Sequence, residues 1–216
     1  MVPIKTNPAH KGNYGGLRAI SNIKYIVIHY TGNDGDTDEN NGVYFKNNDI
    51  DSSAHYFVDS DSITQSVPDN YVAWHCGSKN GYKHPECRNT NSIGIEICDD
   101  VKNGVIYPSA KTIQNVLDLT KSLMKKYNIP KENIIRHFDV TGKHCPSYWV
   151  DDAKWKSEFW NKLTIELTSA NDIAWELNHS YFPITQMERF VKDLEEAKRN
   201  NSSLYWGYYK LANKIK

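Results

Sequence analysis

Lys24-Tyr25-Ile26-Val27-Ile28-His29 is the stretch that decides the fold. Four apolar residues in succession, two of them isoleucine and one valine, without alternation, mark a strand covered on both faces, as at the centre of a sheet. His29 stands at its C-terminal end. Downstream, Ser92-Ile93-Gly94-Ile95-Glu96-Ile97-Cys98 alternates strictly. The isoleucines therefore share one face, and Gly94, Glu96 and Cys98 share the other. A carboxylate in the middle of such a strand is expensive to bury without a purpose.

Between these two strands, residues 54–58 and 62–67 read as an antiparallel pair around the turn Asp59-Ser60-Asp61, and residues 71–74 as a further short strand. Residues 77–91, with Gly77, Gly81 and Pro85, read as a polar loop bordering a groove. From Ser109 the positions Ile113, Val116, Leu117, Thr120, Leu123, Met124 and Tyr127 recur at helical spacing, and Pro130 stops the helix. Asn133-Ile134-Ile135-Arg136-His137 returns as a strand, followed by a loop over 138–149. Strands alternating with a helix in this way predict an α/β fold, a central mixed β-sheet flanked by helices. Residues 1–22 read as an arm laid on that domain, with Gly15-Gly16 as a turn.

After Leu163 the pattern changes to three short helices, a small C-terminal helical bundle. Ser169 with Asp172 and Thr185 with Glu188 have capping-box spacing, Met187, Phe190, Val191 and Leu194 form a stripe, and a third helix starts near Ser202. The expected division is a catalytic domain over 1–163 and a helical domain over 168–216.

The chain carries 26 basic and 26 acidic side chains, so its formal charge is zero. That balance offers no electrostatic reason to expect nucleic acid or an anionic membrane. No apolar run approaches the roughly 20 residues of a membrane helix, so membrane insertion is not expected. The N-terminus lacks the apolar segment of a secretory signal, which predicts synthesis in the cytoplasm and delivery by another agent. Cys76, Cys87, Cys98 and Cys145 are too few for a disulfide scaffold, which favours a specific chemical use for at least one.

His29, His137 and Cys145 are the candidates for that use. Each histidine ends a strand, and Cys145 lies eight residues beyond His137 in the loop that follows. Two imidazoles and a thiolate form a three-ligand set that suits Zn2+ with a fourth position left open. His144 is the weaker neighbour, since adjacent residues in extended chain point apart. Taken singly, each could equally be an ordinary core or loop residue.

Residues 26–32 (Ile-Val-Ile-His-Tyr-Thr-Gly), 53–58 (Ser-Ala-His-Tyr-Phe-Val), 72–77 (Val-Ala-Trp-His-Cys-Gly), 91–96 (Asn-Ser-Ile-Gly-Ile-Glu) and 137–146 together resemble the type-2 N-acetylmuramoyl-L-alanine amidases. That family shares a fold with peptidoglycan recognition proteins. The chain is most similar to bacteriolytic, antimicrobial endolysins of phages or prophages of Gram-positive bacteria, and 22 Asn residues suit an AT-rich genome. The resemblance implies hydrolysis of the amide between N-acetylmuramic acid and L-alanine in bacterial peptidoglycan. It makes His29, His137 and Cys145 the Zn2+ ligands, Glu96 the catalytic carboxylate and Lys143 the cation near the reacting carbonyl. Trp74 and His75 would line the groove and bind substrate. One departure is Ala54, where many relatives carry a Tyr thought to assist catalysis; Glu96 would then move protons alone.

In the endolysins that this chain resembles, a domain after the catalytic one binds the wall. Trp175, Tyr181, Phe182, Tyr205, Trp206, Tyr208 and Tyr209 offer rings for a wall polymer or, alternatively, for a bundle core. Cys76 and Cys87 are spaced for a disulfide outside the cell or for two thiols. The rival readings are a non-hydrolytic peptidoglycan receptor, a zinc peptidase of another kind, for which the His-Glu-x-x-His motif is missing, and a metal-free hydrolase with Cys145 as nucleophile.

Overall fold

Tyr25–Asp34 (β3) and Ser92–Asp99 (β7) pair in parallel, and Ile26, Val27, Ile28, Ile93 and Ile95 are fully buried. In this computed structural model, residues 2–163, 170, 173–174, 177–178 and 184–214 are described. The chain divides into two units, Met1–Leu163 and Thr164–Lys216.

In the first unit, Ile4–Thr6 (β1), Tyr56–Val58 (β4), Ile63–Gln65 (β5) and Ile134–Arg136 (β8) complete a six-stranded mixed sheet in the order β1-β5-β4-β7-β3-β8. Only β4 and β5 pair antiparallel, as their hairpin requires. Tyr14–Leu17 (β2) and Tyr71–Ala73 (β6) form a separate antiparallel pair. Gly15-Gly16 is thus strand, where the sequence suggested a turn. A Cβ on Gly15 would sit 3.2 Å from the Trp74 indole nitrogen, so the glycine admits a close approach and makes no reversal.

Ala110–Tyr127 (α2) packs on β4 and β7. Ser109 caps it by accepting the Thr112 N–H at 3.1 Å, and Asn128 ends it in the left-handed region at φ 53°. Asp38–Asn47 (α1) packs against β4 and β5. Thr37 caps it, and Asp59 of the hairpin accepts the Asp38 N–H at 3.1 Å. Phe45 of α1 packs with Phe57, Ala54 and Cys98, so Cys98 is a packing residue.

The strand expected over 133–137 stops at Arg136, and His137–Thr141 forms a short helix (α3). Asp139 accepts the Arg136 backbone N–H at 2.8 Å, which turns the chain from strand to helix. Asp152–Glu158 (α4) follows. Trp149, Trp155 and Phe159 form an aromatic cluster there, with ring centroids 5.0–5.5 Å apart.

The second unit contains Met187–Arg199 (α5) and Ser203–Lys214 (α6). Its core gathers Ile173, Leu177, Leu194, Tyr205 and Ala212, with Phe190, Tyr208 and Tyr209 packed against it. Trp206 is 44% exposed and donates its indole N–H to Asn201 Oδ1. The Thr185–Glu188 capping box does not form, because α5 begins one residue later, with Gln186 at the cap and no side-chain bond. Ser169, Asp172, Trp175, Tyr181 and Phe182 lie outside the described residues.

Candidate metal centre

Strand register builds the site. His29 of β3 stands opposite Glu96 of β7, so the two side chains leave the sheet on the same face. On the other side of β3, Ile28 stands opposite Arg136, so His137 emerges next to His29; their ring centroids are 4.6 Å apart. Cys145 returns because Phe138 donates its N–H to the Cys145 carbonyl at 2.9 Å. Gly142, at φ 86°, ends α3 and makes that reversal possible.

One donor atom each from His29, His137 and Cys145 lie within 4.8 Å of one another, and Cys145 Sγ is 3.7 Å from His29 Nδ1. Tetrahedral Zn2+ at about 2.1 Å from nitrogen and 2.3 Å from sulfur separates its ligand atoms by roughly 3.4–3.7 Å. The chemistry of the pocket fits a cation too. His137 Nδ1 is buried without a hydrogen-bond partner, and so is Glu96 Oε2. Burial pushes His29 well below the usual histidine range and His137 to about 4, and in both cases Lys143 adds to the effect. Both imidazoles are therefore neutral at physiological pH, the form in which histidine binds a metal. Burial raises the Cys145 thiol to about 12, a cost that a divalent cation beside the sulfur would offset.

Glu96 Oε1 is 3.9 Å from His29 Nδ1. Solvent reaches one fifth of the side chain but none of Oε2. Burial lifts its carboxyl to about 8, against the opposing charge of Lys143. Lys143 is exposed, in the segment between α3 and Cys145. Trp74 is half-buried along Gly15. His75 is 8% exposed and bonded within the protein, between His29 and Ser92, where the sequence suggested a groove-lining residue. Cys76 and Cys87 are buried free thiols in a cluster with Tyr25, Val27 and Val140.

Three residues had no assigned role in the sequence reading. Arg136 is a buried clamp: it contacts Asp139 Oδ1 and Asp152 Oδ1 at 2.6 Å each, and donates to the carbonyls of Trp149 and Val150 at 2.8 and 3.1 Å. It ties the start of α3 to the chain beyond Cys145. Its place immediately before His137 was the only signal. The Tyr148 hydroxyl is buried without a partner, with its ring edge on Tyr30. Ser92 accounts for one partner of His75.

A sequence profile of the N-acetylmuramoyl-L-alanine amidases matches residues 20–148. The chain belongs to this family. It is 38% identical over 157 residues to the N-acetylmuramoyl-L-alanine amidase CwlL of Bacillus licheniformis, covering 68% of this chain and 42% of that one. The chain thus spans less than half the length of that relative. Among solved structures, a mutant endolysin from Bacillus subtilis is 34% identical, with a TM-score of 0.63 over 76% of this chain and 99% of that one. The catalytic domain of XlyA is 32% identical, with a TM-score of 0.61 over 74% of this chain and 98% of that one. The amidase family fold thus resides in the first unit, which also carries all three candidate ligands.

Proposed function

We propose that the chain hydrolyses the amide between N-acetylmuramic acid and L-alanine of bacterial peptidoglycan, using Zn2+ held by His29, His137 and Cys145, as a lytic endolysin. One observation carries the reading: three metal-binding atoms within 4.8 Å of one another beside a buried carboxyl, in a chain of the amidase family. Bound there, Zn2+ would supply a Lewis acid that polarises the amide carbonyl and acidifies water.

Glu96 has the proton affinity for the remaining work. It would take a proton from the attacking water and deliver it to the departing L-alanine nitrogen. Lys143 brings the positive charge toward the oxygen on which negative charge develops; losing such a donor costs roughly 3–4 kcal/mol in comparable sites. Ala54 is fully buried and carries no phenol, so Glu96 acts without that partner. Trp74 would offer a ring to sugar or peptide at the rim. The second unit would hold the enzyme on the wall through Trp206 and Leu204, both exposed, while its other described rings build its core.

The test couples metal analysis to product analysis of digested cell walls. Wild type should carry about one zinc per chain and release muramoyl lactyl groups and L-alanine N-termini, while Glu96→Ala keeps zinc and loses cleavage. Zinc without cleavage by wild type would make the protein a receptor. Cleavage without zinc, abolished by alkylation, would return Cys145 to the role of nucleophile.

A further inference from the structure

His75 is bonded at both ring nitrogens, and the direction of each bond can be worked out from the far end. The Arg88 carbonyl can only accept, and Ser92 Oγ donates to it at 2.7 Å. Ser92 has one proton, so at its 3.1 Å contact with His75 Nε2 the oxygen accepts. The Cys76 thiol does not compete, since it donates to Asn89 Oδ1 at 3.2 Å. A neutral imidazole has one N–H; with Nε2 donating, His75 Nδ1 is a lone pair. It then accepts from His29 Nε2, 3.0 Å away. His29 Nδ1 is left bare, and that is the atom 3.7 Å from Cys145 Sγ.

Two further features serve the same ring. A Cβ on Gly94 would lie 2.5 Å from His75 Cγ, so a glycine in the middle of β7 makes room for the imidazole. Asn89 Oδ1 accepts the backbone N–H of both His75 and Cys76, at 3.1 and 2.8 Å, which fixes the chain that carries it.

We infer that His75 is a positioning residue: with Ser92 and the Arg88 carbonyl it forms a one-way hydrogen-bond relay that holds His29 as the Nε2–H tautomer and turns Nδ1 toward the metal. The inference rests on the metal reading proposed above. Partners that orient a ligating histidine are commonly carboxylates or carbonyls. A neutral imidazole does the same without adding negative charge to the site.

Nitrogen-15 spectra of the imidazoles in the metal-free wild type at neutral pH should give the Nε2–H form for both His29 and His75. In a chelator competition, His75→Ala should bind zinc about 10–100-fold more weakly, the cost typical of losing such a partner. His75→Asn, whose Oδ1 can replace Nδ1 as acceptor, should recover most of that loss, and Ser92→Ala should show a smaller one. A His29 protonated at Nδ1, or a folded His75→Ala that binds zinc as wild type does, would overturn the inference while leaving the metal reading intact. Wild type that binds no zinc would sink both. If His75→Ala does not fold, the tautomers of the wild type and the zinc affinity of Ser92→Ala decide.

Discussion

At the residue scale, Glu96 sets its proposed catalytic role against stability. Its carboxyl stays protonated in the folded, metal-free protein up to about pH 8, whereas in the unfolded chain it ionises near 4.5. A folded pKa above the unfolded one means that stability falls as pH rises through that interval. Glu96→Gln removes the penalty, so at pH 8 the metal-free variant should be more stable by about 1 kcal/mol or more, roughly 2–4 °C in melting temperature for a unit of this size. The same change should lower wall cleavage by about 100-fold or more. A variant that melts at or below wild type at pH 8 would contradict the burial argument. Arg136 is the opposite case, since its charge is fully engaged. Arg136→Met removes the bonds to the Trp149 and Val150 carbonyls and the pairing with Asp139. Asp152 is largely exposed and recovers water, so the expected loss is roughly 2–3 kcal/mol, measured by urea denaturation.

At the level of elements, Ser109 is the point to probe. Its hydroxyl caps α2 and also donates to Asp100 at 2.9 Å. Ser109→Ala should cost about 1–2 kcal/mol in the same urea measurement, without changing zinc content. This helix was legible from the chain because Val116, Leu117, Leu123 and Met124 repeat at its period and Ser109 and Pro130 bracket it. So were β3 and β7, where continuous or alternating isoleucines leave little choice. α1 was not: Asp38-Glu39-Asn40-Asn41-Gly42 has no apolar stripe and, Glu39 apart, no good helix former, and its start is held by Asp59 from a different element as well as by the Thr37 cap. β1 escaped notice as well, being three exposed residues whose only strand signal is a neighbour, β5. The same division holds in the site. Two histidines and a downstream cysteine could be found by residue type and spacing, although His29 lies inside β3 and His137 opens α3. The orientation of His75 depends on Ser92 and on the space above Gly94, which only the folded sheet brings together.

For the whole molecule, two separate cores predict two responses. Removing metal should lower the melting transition of the first unit and leave that of the second in place, since the three candidate ligands all belong to the first. Calorimetry with and without a chelator would check this, and a shift of both transitions would count against it. Acid should act on the first unit as well. Burial holds His29 and His55 well below 6.5 and His137 at about 4 in the folded state, whereas in the unfolded chain they take up protons near 6.5. These folded pKa values are depressed, so stability present above pH 6.5 is lost as pH falls toward 4. Glu96, raised to about 8, opposes this together with Asp38, raised to about 6, and Asp99, also raised by burial, against three strongly depressed imidazoles. The metal-free melting temperature should therefore drop across that window, and a flat profile would refute the assignment.

His29 and Cys145 lie more than a hundred residues apart in the chain, and they meet only after β8 has paired with β3. Translation releases the β3 half long before the other. A growing or truncated chain that has not yet supplied the segment after Arg136 lacks two of the three candidate ligands, whatever else of it has folded. The order of synthesis thus withholds the complete three-ligand set until Cys145 has been added, although the second unit follows it in the chain.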